Sequence, residues 1–258
     1  MRQQLVYDLP TRIFHWLFSG LFLVAFLVAK LVDDESSAFS YHMLAGLTLS
    51  FVVILRIPWG FFGTRYARFS AFALNPRDLL AYFKGILSGS RKLWVGPNPA
   101  SSWAAILMMV LALCLGITGF LMTSGINKSF EDFHEFLAYG FLFLALTHIA
   151  GIVLHTIRHK DLIGPSMIHG KKACASANQA ITSARPAFGV LMIGLVVVFG
   201  LNLFNNYDSQ HRSLQFFGST LQLTKNEDSE KEKAGDKEGA ENSRGKTHEL
   251  KDADGDKD

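Results

Sequence analysis

The sequence predicts an all-α integral membrane protein: a four-helix bundle followed by a fifth C-terminal transmembrane helix and a disordered tail. Three observations support this fold class. Hydrophobic residues make up 49% of the 258 residues and include 22 phenylalanines. They collect in five blocks, each about as long as the roughly 20 residues that a helix needs to cross a bilayer. The loops on one side of these blocks are also much more basic than the loops on the other.

The five apolar blocks are the predicted membrane-spanning helices. They cover Ile13–Val32, Tyr41–Phe62, Trp103–Met122, His134–Thr156 and Pro186–Phe204. The last is the most uniform, because no charged residue lies between Arg185 and Asp208. A soluble protein rarely buries five such helices, so the pattern indicates a membrane. The first block follows two arginines, as a signal peptide would, but no clear small-residue cleavage site ends it, and we expect a retained helix.

The loop charges predict how the bundle is oriented. The N-terminal segment and the loops after the second and fourth helices carry fourteen Lys and Arg residues against three acids. The loops on the opposite side carry Lys30 and Lys128 against six acids. Because basic loops stay in the cytoplasm, we expect a multi-pass membrane protein with a cytoplasmic N-terminus and a C-terminus on the outside, which for a bacterial inner membrane is the periplasm.

Composition divides the chain into four regions. Residues 1–172 contain the first four helices, residues 173–185 form a cytoplasmic linker, residues 186–204 form the fifth helix, and residues 205–258 form a charged periplasmic tail. The tail carries 9 basic and 13 acidic residues. From about Thr224 it has almost no apolar residue and cannot offset its conformational entropy, so we expect disorder. The net charge of +3 therefore reflects membrane topology and indicates no nucleic-acid partner.

The loops carry few motifs. The two cysteines, Cys114 and Cys174, belong to no Cys-x-x-Cys-His run, so the chain itself attaches no c-type haem. There is no phosphate-binding Gly-rich loop and no His-Glu-x-x-His zinc motif. Residues 76–87 begin with a proline and combine apolar residues with charged ones, a composition that predicts a short amphipathic helix on the inner membrane surface.

Histidines are the distinctive residues of the spanning helices. Five of the nine lie there, and ionisable side chains inside a bilayer are costly and usually functional. The alternating direction of the helices places His15 near the inner face and both His42 and His134 near the outer face. His148 follows His134 by 14 residues, which on a helix is about 21 Å deeper and within about 40° of the same face. Depth therefore pairs His42 with His134, and His15 with His148.

Two imidazoles at one depth are the ligands that a bis-histidine haem iron requires. The pattern therefore predicts two haem b groups in the bundle interior, one near each face, with these four histidines as the axial iron ligands. His155 shares the face of His148 but lies nearer the cytoplasm, and we expect it beside a haem propionate or a quinone. Aromatic and small residues near the ligands would let a flat macrocycle approach, although ordinary helix packing explains them as well: Phe14, Trp16, Gly20, Gly46, Gly140 and Gly151.

Motifs at the helix ends carry a resemblance to a known family. They are, in order, Tyr7-Asp8-Leu9-Pro10-Thr11-Arg12-Ile13-Phe14-His15-Trp16, His42-x-x-x-Gly46, Arg56-x-Pro58-Trp59-Gly60, Gly63-Thr64-Arg65-Tyr66-Ala67-Arg68-Phe69, Phe133-His134-Glu135, His148 and Met167-Ile168-His169-Gly170-Lys171-Lys172. As an ordered set over about residues 5–172, they resemble bacterial cytochrome b561 and the b-type cytochrome subunit of nickel–iron hydrogenases.

This resemblance implies a four-helix core with two b haems that exchanges electrons with membrane quinone and a redox partner. It carries the ligand roles onto His15, His42, His134 and His148. Many relatives have His-Asn-Pro before the third helix, whereas this chain has Pro97-Asn98-Pro99. Any role of that histidine is therefore absent here.

We expect the chain to transfer electrons between the quinone pool and a periplasmic or membrane partner, either a c-type cytochrome or a hydrogenase. Two other functions stay open. A redox-inactive anchor could dock a periplasmic protein through the tail, but it would not need four histidines at matched depths. A transporter that moves protons on histidines would be expected to have broken helices or acids at mid-membrane, and the sequence has neither.

Overall fold

The computed structural model describes residues 2–89, 94–124, 130–159, 163–174 and 177–223. Within these ranges the chain forms seven α-helices, named in chain order α1 (Leu9–Leu31), α2 (Ser40–Phe62), α3 (Pro76–Ser88), α4 (Pro99–Thr123), α5 (Glu131–His159), α6 (Ser166–His169) and α7 (Pro186–Asn205).

Five of these helices, α1, α2, α4, α5 and α7, are long and apolar enough to cross a membrane. They coincide with the five predicted spans, and the predicted fold class is confirmed. Their surfaces are apolar as well: Phe62 is 86% exposed and Phe143 is 69% exposed. Apolar surface of this extent is unfavourable in water and is expected where helices face lipid.

The first four spans pack into one bundle. Helix α1 packs on α2, α2 on α4, and α4 on α5, while α7 lies outside this core against α1 and α2. Two spans begin at side-chain caps, where Asp8 accepts from the Thr11 N–H and Asn98 accepts from the Ser101 N–H, each at 2.8 Å. Both helices also have a proline in the first turn. The N–H groups of a first turn have no partner within the helix, so proline, which has no N–H, is well suited to this position.

A two-stranded sheet joins the two ends of the four-helix core. Strand β1 (Arg2–Leu5) pairs antiparallel with β2 (Lys171–Cys174). The turn before β2 needs Gly170, which has a φ of +77°, and a Cβ there would lie 2.6 Å from the Tyr7 carbonyl oxygen. Since paired strands must share a side of the membrane, residues 2–5 and 171–174 are on the same side, as four crossings require.

The opposite end of the bundle carries a three-stranded sheet made by β3 (Tyr207–Asp208), β4 (Ser213–Phe216) and β5 (Ser219–Gln222), in that order. The side chains of Leu214, Leu221 and Leu223 are at most 1% exposed. They pack with Leu203 against Met43, Leu44, Leu47 and Phe120 of α2 and α4. The Tyr207 hydroxyl also donates to Ser40 Oγ at the start of α2, 3.0 Å away.

The start of the C-terminal tail needs a correction. The sequence analysis assigned residues 205–258 to one charged tail and predicted no ordered element in it, whereas residues 207–222 form this sheet, because their apolar side chains pack on the end of the bundle. Residues 224–258 lie outside the described residues, and their disorder stays a prediction.

The predicted amphipathic helix is α3. The Asn75 side chain caps it by accepting from the Arg77 N–H, 2.9 Å away. Its apolar residues Leu80, Phe83 and Leu87 are exposed. The helix itself is confirmed, and its place on the membrane surface stays a prediction.

Candidate functional site

The first turns of α2 and α5 bring His42 and His134 together at one end of the bundle. Their ring centroids are 6.0 Å apart, and the ring planes make an angle of 73°. A bond between a metal and an imidazole nitrogen is about 2.0 Å long, so two imidazoles on one metal have centroids about 6 Å apart. The separation of the two rings therefore fits two axial ligands of one iron.

Hydrogen bonds determine which nitrogen of each ring is free. The Nδ1 atom of His42 lies 2.8 Å from the carbonyl oxygen of Ala25 in α1, and a carbonyl can only accept. The Nδ1 atom of His134 lies 2.8 Å from Thr118 Oγ1, whose own proton goes to the Cys114 carbonyl at 2.9 Å. Each Nδ1 therefore carries the proton, and each Nε2 keeps the lone pair that a metal needs.

The space beside these two histidines is lined mostly by glycines and apolar side chains of α2 and α4: Met43, Gly46, Leu47, Leu115, Gly116, Gly119 and Phe120. A Cβ on Gly46 would meet no atom within 4 Å. A Cβ on Gly119 would lie 3.6 Å from the ring of His134. The missing side chains leave a narrow apolar slot next to two free imidazole nitrogens, so the residues present fit a haem.

The predicted inner pair, His15 on α1 and His148 on α5, lies toward the other end of the bundle from His42 and His134. The two imidazoles lie close enough to interact electrostatically. The inner pair differs from the outer one in its hydrogen bonds, because His15 Nδ1 is buried without a hydrogen-bond partner among the described residues.

Packed aromatic rings lie between the two histidine levels. Phe141 is seven residues from both His134 and His148 on α5. Its ring stacks on Phe22 with centroids 3.8 Å apart and lies 5.4 Å from the ring of Phe18. These rings belong to the largely buried core, so the two levels are separate sites with an apolar layer between them.

Sequence reasoning missed two groups that position the outer ligands, the hydroxyl of Thr118 and the carbonyl of Ala25. Thr118 had a signal, since it is a polar residue close to the outer end of a strongly apolar helix. The carbonyl of Ala25 had no such signal, because every residue has a backbone carbonyl. Sequence reasoning also gave no role to Asp8, which is fully buried and accepts from Thr64 Oγ1 at 2.6 Å and from Trp59 Nε1 at 3.2 Å.

The other described histidines have different surroundings. His155 is half-buried on the inner half of α5. His169 is exposed and accepts from the Lys171 N–H at 3.0 Å. His211 donates from Nδ1 to Asp208 Oδ2 at 2.6 Å, and this hydrogen bond lowers the pKa of Asp208.

Comparison with known proteins identifies similar chains. The family model described as prokaryotic cytochrome b561 matches residues 6–170. The probable Ni/Fe-hydrogenase B-type cytochrome subunit of Rhizobium leguminosarum bv. viciae is 31% identical over 60% of this chain and 72% of its own length. The probable Ni/Fe-hydrogenase 1 B-type cytochrome subunit of Escherichia coli (strain K12) is 25% identical over 46% of this chain. The match spans 60% of the Escherichia coli subunit. No solved structure matches the chain significantly.

Proposed function

The chain belongs to the prokaryotic cytochrome b561 family, and we propose that it is a membrane di-haem cytochrome that transfers electrons between the quinone pool and a periplasmic or membrane redox partner. Family membership and the similar proteins already make it a multi-pass membrane b-type cytochrome. Our proposal adds four points to this: the number of haems, the quinone, the redox partner and the four axial ligands.

One observation carries the proposal, namely the pair of imidazoles at 6.0 Å whose Nδ1 atoms are both engaged. Haem b supplies one-electron chemistry when it is bound. His42 and His134 hold the outer haem through Nε2, while Ala25 and Thr118 fix the planes of the two rings and raise their basicity. His15 and His148 hold the inner haem. A redox-inactive anchor would gain nothing from this arrangement.

The proposed redox partner is inferred from the names of the similar proteins and from the two levels at which the histidine pairs lie. Both similar proteins are named as cytochrome subunits of Ni/Fe-hydrogenases, so we place a hydrogenase first and a c-type cytochrome second. One haem near each membrane face lets a single chain exchange electrons with a periplasmic protein and with quinone dissolved in the bilayer.

Haem content tests the proposal directly. The purified protein is expected to contain about two haems per chain and to show a bis-histidine b-type spectrum, because two histidine pairs lie at separate levels. A pyridine haemochrome assay combined with a protein assay measures the ratio. A ratio near zero would contradict a cytochrome function and favour the anchor. A ratio near one would mean that only one of the two histidine pairs binds haem.

We also propose that the N-terminus is cytoplasmic and the C-terminus periplasmic. A periplasm-dependent reporter fused after Asp258 is expected to be active. The basic loops place the end of the bundle that carries β1 and β2 in the cytoplasm, and five spans separate β1 from the C-terminus. Contacts of the C-terminal sheet agree, since Arg212 donates to the carbonyl of Glu35 in the α1–α2 connection. The same reporter fused after Thr182 is the control and is expected to be inactive. An inactive Asp258 fusion would mean that α7 does not span.

A further inference from the structure

Arg56 is a buried positive charge near the inner end of α2. The side chain is only 4% exposed, and its Nη2 donates to the Ala67 carbonyl oxygen at 2.6 Å. The guanidinium lies over the rings of Phe14 and Phe69, at 5.6 and 5.2 Å from their centroids. Its Nη1 is buried and has no hydrogen-bond partner in the part of the chain that the structure describes. A buried charged donor without an acceptor is costly, so an acceptor is expected.

The position of Arg56 indicates which group supplies that acceptor. It follows His42 by 14 residues on α2, the same spacing that separates His134 from His148 on α5. Its Cα is therefore about 21 Å deeper than that of His42 and within about 40° of the same face. Phe14, over which the guanidinium lies, is the neighbour of His15. The guanidinium thus lies at the level of the inner histidine pair.

Other buried polar atoms at this end also lack partners among the described residues. They are Thr11 Oγ1, Arg12 Nε and His15 Nδ1 on α1, and Trp103 Nε1 on α4. Asp8 interacts electrostatically with Arg56. Its carboxylate, however, already accepts from the Thr11 N–H and from the side chains of Trp59 and Thr64. Arg12 Nε, Arg56 Nη1 and Trp103 Nε1 can only donate, so the inner end of the bundle has buried donors that lack acceptors among the described residues. Both Nδ1 atoms of the outer pair, by contrast, are bonded.

We propose that Arg56 binds a propionate carboxylate of the inner haem through Nη1, with Trp103 as a second donor at that end. This inference rests on the proposed function, because it needs a haem between His15 and His148. Haem b carries two carboxylates, and guanidinium is the side chain best suited to bind a carboxylate away from water. A fixed positive charge beside the ring also favours the ferrous state and so raises the potential of the inner haem.

Three variants test this role. Arg56→Gln keeps a donor and removes the charge, and Arg56→Lys keeps the charge. Arg68→Gln, which removes an exposed arginine of the connection between α2 and α3, is the control. In a redox titration of the purified holoprotein, Arg56→Gln is expected to shift the ferric-to-ferrous ratio of the inner haem about tenfold toward ferric at a fixed potential. For one electron this is a fall in midpoint potential of about 59 mV. The outer haem and the control should not change, and Arg56→Lys should show a smaller shift.

The outcomes separate this inference from the function on which it rests. A haem-free wild type would refute the proposed function itself. A wild type with two haems, together with an Arg56→Gln variant whose inner haem keeps its potential and occupancy, would overturn only the role of Arg56. A variant changed solely in its KM for quinone would also overturn it, since Nη1 would then bind a quinone carbonyl. If Arg56→Gln does not fold, the redox-induced infrared spectrum of Arg56→Lys decides: altered propionate bands support the contact, and unaltered bands refute it.

Discussion

Replacing His42 or His134 by alanine is expected to remove the outer haem and leave the inner haem in place. Each substitution deletes one of two axial ligands whose rings lie 6.0 Å apart. His148 cannot substitute, because it lies about 21 Å along α5 from His134. The haem content of either variant should fall from about two per chain to about one, and the surviving centre should keep its midpoint potential. Pyridine haemochrome assays and redox titrations measure both quantities.

His15→Ala or His148→Ala is expected to do the reverse, with loss of the inner haem alone. His155→Ala should keep both haems, and His211→Ala, which changes an exposed histidine of the C-terminal sheet, is the matched control. The pairing would be wrong if His155→Ala lost the inner haem while His148→Ala kept it. Loss of both haems from every single variant, with the protein still folded, would mean that the two sites are not independent.

Replacing Asp8 by alanine is expected to destabilise the whole bundle. The Asp8 carboxylate caps α1 and accepts hydrogen bonds from Trp59 and Thr64 in a fully buried place. Its loss removes the cap and leaves two donors of partly buried residues, Trp59 Nε1 and Thr64 Oγ1, without this acceptor. We expect the free energy of unfolding to fall by roughly 3 kcal/mol, from about 1 kcal/mol for a cap and 1–3 kcal/mol for an unsatisfied donor.

Thermal unfolding in detergent measures this effect, with the absorbance of the haem as the signal. Asp8→Asn keeps an acceptor oxygen and should lose less stability than Asp8→Ala. Asp78→Ala is the control, since Asp78 is also an acid in the first turn of a helix but is exposed; it should cost only a few tenths of a kcal/mol. Equal losses in Asp8→Ala and Asp78→Ala would show that the buried hydrogen bonds of Asp8 contribute little.

The spanning helices were predictable because a bilayer imposes a length and a polarity that can be read along the chain. The depth of each histidine follows from the same rule, and the structure brings His42 and His134 together as depth suggested. Their role as iron ligands remains a prediction. The hydrogen bond of Thr118 was not predictable, because it depends on how α4 is rotated against α5, and rotation leaves little trace in a uniformly apolar sequence.

The C-terminal sheet was missed for a different reason. Composition averaged over residues 205–258 is strongly charged, and that average hid a short segment in which Leu214, Phe216, Leu221 and Leu223 supply apolar side chains. The three leucines are buried, and Phe216 is partly buried, because the ends of α2 and α4 offer an apolar surface. The role of Asp8 could not be predicted for a similar reason, since it also depends on contacts made by the folded chain. Its hydrogen-bond partners Trp59 and Thr64 lie 51 and 56 residues further along the sequence.

The pairing of β1 with β2 has a consequence for how the protein is made. The two strands are separated by about 170 residues of chain, and a ribosome adds about 5–20 residues per second, so β1 waits roughly ten to thirty seconds for its partner. Throughout that interval all four core helices must be synthesised and must enter the bilayer, because β2 follows the last of them. Formation of the β1–β2 pair is therefore among the final steps in the biogenesis of the core, although β1 precedes all four core helices along the chain.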